Sequence, residues 1–100
     1  MKAARLLSYR KRLTDTLFKE VHVWRLRQPL AGSHHPFKYR LVLVHGEQCV
    51  LRYDNERGKG DHKHIGDQEC ALTFTSMPQI LIDFDRDIQR WRETHGHTDH

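Results

Sequence analysis

The residues best able to do chemistry lie close together in "RYDNERGKGDHKH", positions 52–64. His62 and His64 can exchange protons near neutral pH, because a free imidazole titrates at about 6.5. Arg52 can fork a phosphate with two N–H donors, and Lys59 can act on it as a point charge. Gly58 and Gly60 flank Lys59, and glycines allow successive N–H groups to converge on an anion. Together these residue types suit cleavage of RNA by its own 2′-OH. That reaction needs one group to take a proton, another to give one, and cations to stabilise the phosphorane. Each positioned proton transfer contributes about 10²–10⁴ in rate, and the cations act by fixed electrostatics. The expected catalytic set is His62 and His64 as the acid–base pair and Arg52 and Lys59 on phosphate. Asp61, or else Asp54, would hold a histidine tautomer.

Two other readings fit the same stretch. Asp54, Asp61, His62 and His64 offer metal-ligand chemistry, but their spacing matches no established signature. Lys59 and Lys63 would also repel a cation, so no metal and no cofactor is expected. Alternatively, Asp54 and Asn55 cap a turn and the histidines are merely exposed. A nucleic-acid surface is expected from Arg10, Arg12, Lys38, Arg40 and Lys63, with Tyr39 as the base-stacking candidate between its two cations.

Positioning these groups requires strands. Residues 3–13, "AARLLSYRKRL", alternate at period two, although a short basic helix is the other reading. Residues 16–26, "TLFKEVHVWRL", are β-branched and aromatic. Thr14-Asp15 would join them in a hairpin. The prolines, glycine and serine of "QPLAGSHHP" (28–36) break the ladder, and His34-His35 read as loop residues. "FKYRLVLVH" (37–45), Gly46-Glu47 and "QCVLRYD" (48–54) form a second hairpin, delivering Arg52 to the start of a glycine-rich loop. "ALTFTS" (71–76) is a short edge strand. A helix follows, with Ser76 as N-cap, Gln79 completing a capping box and Pro78 in the first turn. Met77, Ile80, Leu81, Phe84, Ile88 and Trp91 make its apolar stripe. Asp83, Asp85, Arg86, Asp87, Gln89, Arg90 and Arg92 occupy mostly the other side.

The expected fold is α+β: a four- to five-stranded antiparallel meander of hairpins with the C-terminal helix packed on one face. One domain would span 1–94, and the histidine-rich 95–100 would fray. The opposite sheet face must be polar or meet a partner, and Arg10, Arg12, Lys38 and Arg40 are assigned to it.

Composition sets the outer limits. The chain has 100 residues, 37% of them hydrophobic and 30% charged, enough for one core of two layers. The longest apolar run, Leu41 to Val44, falls far short of the roughly 18 residues that span a bilayer, and no signal peptide is visible. The cytoplasm is therefore the expected location, without a membrane. Cys49 and Cys70 form neither a disulfide framework nor a zinc knuckle. A net charge of +4, with nine histidines in reserve, favours anionic partners, of which nucleic acid is the commonest; an ordinary solvated surface or an acidic protein partner fits the same composition.

The segments "FKYRLVLVHGEQCVLRYDNERGKGDHKH" and "TFTSMPQILIDF" resemble the TumE family of small prokaryotic toxins, over most of the chain. The resemblance implies a bacterial or archaeal cytoplasmic toxin silenced by a helix-turn-helix antitoxin. It also implies a nucleic-acid- or translation-directed activity, but no catalytic residue assignment. A second copy of the chain is a further candidate partner. "LTDTLF" departs from the pattern, carrying threonine where a hairpin turn more often has glycine.

Overall fold

A computed structural model describes residues 3–96. It contains strands β1 (Ala3–Arg12), β2 (Leu17–Leu26), β3 (Phe37–His45), β4 (Gln48–Glu56), β5 (Gly60–Ile65) and β6 (Gln68–Ala71), then helix α1 (Met77–Thr94). The strands lie in chain order, each antiparallel to the next, in one open sheet. The fold is thus α+β with a C-terminal helix, but the sheet has six strands rather than four or five.

The extra strands come from the segment expected to be a loop. Gly58, Gly60 and Gly66 adopt φ of 83°, 76° and 60°, which lets the chain reverse twice within a few residues. Residues 60–71 therefore fold back as β5 and β6, and 71–76 form no strand beyond Ala71. Residues 3–12 form a strand, not a helix. Their hairpin turn needs no glycine, because the Leu13 and Thr14 N–H groups donate to the Leu17 carbonyl at 2.8 and 3.1 Å. Thr14 Oγ1 accepts a further bond from the Thr16 N–H.

One sheet face carries the core. Leu17, Val21 and Val23, Tyr39, Leu41 and Leu43, and Leu51 and Tyr53 pack under Met77, Ile80, Phe84 and Ile88 of α1. Salt bridges fix the helix at both sides of this layer, Lys19 to Asp85 at 3.0 Å and Lys63 to Asp87 at 2.9 Å. Asp87 also accepts the Tyr53 hydroxyl, and Arg92 is buried, so the helix's polar side is less exposed than its sequence implies. Ser76 caps the helix by accepting from the Gln79 N–H at 3.1 Å. The Gln79 side chain bonds Asp83 instead of returning to the cap, so only half of the capping box forms. The His95 ring stacks on Trp91 at 4.3 Å and its Nδ1 bonds the Trp91 carbonyl. Positions 97–100 of the expected tail lie outside the described residues.

Candidate functional site

Strand register turns the helix-free face into two ordered rows. One runs Arg10, Glu20, Val42, Arg52, His64, Glu69 across the six strands. The next runs Ser8, His22, Arg40, Asp54, His62, Ala71. Side chains alternate across a strand, so these groups share a face although they are scattered in sequence. Arg12 and Lys38 stand on the same face by that register.

His62 and His64 are neighbours, their ring centroids 5.4 Å apart, but their surroundings differ. The His62 side chain is only 6% exposed, and its Nε2 lies 2.9 Å from Asp54 Oδ1. Glu69 and Glu56 carboxylate oxygens lie 3.8 and 3.9 Å from the same nitrogen. The Asp54 contact is close but out of hydrogen-bond line: His62 Nε2, Asp54 Oδ1 and Arg52 Nε are buried atoms without an aligned partner. His64 is more open, 24% exposed, with Nε2 3.4 Å from Glu69 Oε1. It lines a hollow of about 80 Å³ together with Cys49, Leu51, Arg52 and Gly66.

Most cations of the face are already engaged. Arg52 Nε lies 3.5 Å from Asp54 Oδ2 and Arg40 3.9 Å from the same oxygen. Arg10 donates to Glu20 at 2.7 Å, and this bond holds the Glu20 carboxyl below its ordinary range. Lys59 Nζ donates to Glu69 at 3.2 Å and is the main reason the Glu69 carboxyl is also lowered. Lys38 Nζ donates to the Asn55 carbonyl.

Three expected site residues are placed elsewhere. Asp61 projects to the helix-bearing face, where it accepts from the Tyr39 hydroxyl at 2.6 Å and from His35 Nε2 at 2.9 Å. It therefore cannot orient His62 or His64, which sit on the other side of the pleat. Tyr39 is fully buried, so no base can stack on it. Burial, then its bond to Asp61, push its phenol far above the ordinary range. Lys63 reaches α1, not the rows.

The proposed glycine nest around Lys59 is also filled. The Gly58 N–H donates to the Ala31 carbonyl at 2.7 Å and the Lys59 N–H to Glu56 at 3.2 Å. Gly60 and Gly32 serve close packing instead: a Cβ on Gly60 would lie 3.3 Å from the Gly32 carbonyl oxygen, and one on Gly32 3.3 Å from the Gly58 backbone. His35, read as a loop residue, is buried and stacked on Phe74 at 3.5 Å.

Sequence reasoning missed Glu56 and Glu69 as members of the His62 environment. Glu69 lies outside the quoted stretch, and only the β5–β6 pairing brings it opposite His64. The period-two spacing of Arg52, Asp54 and Glu56 was the available signal for a shared face.

The family model described as "Toxin TumE" matches residues 2–92, and the chain therefore belongs to the TumE toxin family. No curated protein and no solved structure matches it. No helix among the described residues is long and apolar enough to cross a membrane.

Proposed function

We propose that this member of the TumE toxin family is the toxin of a prokaryotic toxin–antitoxin module and acts as an endoribonuclease on the helix-free face. The observation that carries the reading is the pairing of His64 with Arg52 across β4 and β5, both lining one hollow. A phosphate in that hollow would meet the outer guanidinium nitrogens of Arg52 and the His64 ring. Arg40, Arg10, Arg12 and Lys38 lie along the same face, where a backbone could run.

In this reaction the 2′-oxygen bonds to phosphorus and the bond to the 5′-oxygen breaks. Glu69, ionised beside Lys59, takes the 2′-OH proton. His64 gives a proton to the leaving 5′-oxygen, and Glu69, 3.4 Å away, returns to it the proton taken from the 2′-OH. Arg52 balances the charge that develops on the phosphorane. His62 is a positioning residue here, because its Nε2 is buried against Asp54. None of these steps calls for a metal ion.

The family likeness supports a helix-turn-helix antitoxin as the partner and the cytoplasm as the place of action. A homodimer would form along the exposed edge strand β1. The test is induced expression in a bacterium beside His64→Ala, followed by assay of purified protein on RNA in EDTA. Cleavage should persist in EDTA and fall about 10²- to 10⁴-fold in His64→Ala. RNA that is bound with a steep salt dependence yet never shortened would make the face a binding surface only.

A further inference from the structure

Two histidine–aspartate pairs in this fold are built in opposite ways. In His35, Nδ1 accepts the Phe37 N–H at 3.2 Å, so Nε2 carries the hydrogen and donates it to Asp61. That pair is satisfied with a neutral ring. In His62, Nδ1 lies 3.2 Å from the Gly60 carbonyl, which can only accept, so Nδ1 carries the hydrogen. Its Nε2 lies 2.9 Å from Asp54 Oδ1, yet neither of these buried atoms has a hydrogen-bond partner. Two buried donor atoms this close and unbonded leave their lone pairs open to an ion beside them.

We infer that this space binds a divalent transition-metal ion, of the Zn²⁺ or Mn²⁺ type, on His62 Nε2, Asp54 Oδ1 and Glu56. One donor atom from each of these residues lies within 4.8 Å of the others. Donors about 2.1 Å from a tetrahedral ion sit roughly 3.4 Å from one another. The His62 contacts, 2.9 Å to Asp54 and 3.9 Å to Glu56, bracket that spacing. The Gly60 carbonyl fixes the ring by its other nitrogen, as the outer partner of a metal-bound imidazole does. His62, His64 and Glu69 form an overlapping triple, but Glu69 is held by Lys59, whereas Asp54 Oδ1 has no aligned bond.

The charge objection raised by the flanking lysines does not apply to the folded chain. Lys63 is on the opposite face with Asp87, and Lys59 is paired with Glu69. Arg40 and Arg52 approach Asp54 at Oδ2, leaving Oδ1 to the ion. One imidazole with two carboxylates suits a borderline ion better than Mg²⁺, which keeps its waters and prefers all-oxygen sites. The ion would staple the end of β4 to β5.

The inference does not depend on RNA cleavage, because its readout is binding. Full-length protein carrying His97→Ala and His100→Ala, to silence the tail, is titrated calorimetrically with ZnCl₂, MnCl₂ and MgCl₂. One ion per chain should bind, Zn²⁺ most tightly and Mg²⁺ most weakly, and the melting temperature should rise with Zn²⁺ concentration. Glu56→Gln, a substitution at a half-exposed side chain, should keep the fold and weaken binding at least about tenfold. His62→Ala, where it folds, should abolish it. Zn²⁺ binding of undiminished affinity in Glu56→Gln, or no saturable binding in the parent, overturns the inference.

Discussion

Replacing His62 by alanine should damage the fold, whereas replacing His64 should damage only the site, although the two share one face of β5. The His62 side chain is 6% exposed and that of its partner Asp54 8%. Removing the imidazole leaves the Asp54 carboxylate buried, supported only at Oδ2 by Arg52 and Arg40 at 3.5 and 3.9 Å. Emptying the space of a buried ring costs about 3–5 kcal/mol, and the small imidazole, with both arginines still facing Asp54, places the expectation near the lower limit. In a domain of this size 1 kcal/mol shifts the melting temperature by about 4–8 °C, so His62→Ala should melt roughly 12–24 °C lower. His64 faces solvent beside an exposed carboxylate, and its loss should shift melting by only a few degrees. Adding Asp54→Asn to His62→Ala removes the stranded charge. The double variant should therefore be more stable than the sum of the single losses, by roughly 1–3 kcal/mol. Thermal melts by circular dichroism, near neutral pH and in EDTA, compare wild type, the three single variants and the double variant. A His62→Ala variant melting within about 5 °C of wild type would show that the buried pair does not hold β4 to β5.

Tyr39 and Tyr53 give a prediction at high pH. Burial, and then hydrogen bonds to Asp61 and Asp87, raise both phenols far above the ordinary value, which is about 10. The folded state keeps protons that the unfolded chain releases, so their contribution is fully present below about pH 10 and declines as pH rises beyond it. Each phenol should contribute up to about 1.4 kcal/mol per pH unit to that decline, and Tyr39→Phe should remove one share. Denaturant midpoints across the alkaline range test this, and phenolate absorbance from all three tyrosines at about pH 10 in still-folded protein would refute it. Gly60→Ala should destabilise by more than about 1 kcal/mol, because Gly60 sits at φ 76° with the Gly32 carbonyl 3.3 Å from the new Cβ. Gly46→Ala has the same backbone penalty, at φ 63°, but open space around it, so the smaller loss expected there isolates the packing contribution.

The strands β2, β3 and β4, the Gly46 turn, the Ser76 cap and the helix stripe were legible in the residues. Each is encoded locally, by apolar alternation, by a glycine in a turn, or by recurrence at helical spacing. The charged character of the open face was legible for a related reason: one helix cannot cover both sides of a sheet, so the uncovered side must be polar. Residues 60–71 were not legible as strands, because Asp61, His62, Lys63 and His64 are polar on both faces and show no hydrophobic alternation. Their pairing is decided by β4 on one side and by two glycine reversals.

That decision also sorts the chemistry. Alternation sends His62 and His64 to the open face and Asp61 and Lys63 to the helix, so four residues that look like one cluster in sequence belong to two different sites. The sequence alone determined which kinds of groups the chain brings to its middle hairpins: imidazoles, carboxylates and guanidinium cations. Only the tertiary structure decided which of them meet, because neighbours along a strand point apart while residues from different strands share a face. Glu69 thus reaches His64, and Asp54 reaches His62, through register that no local pattern records.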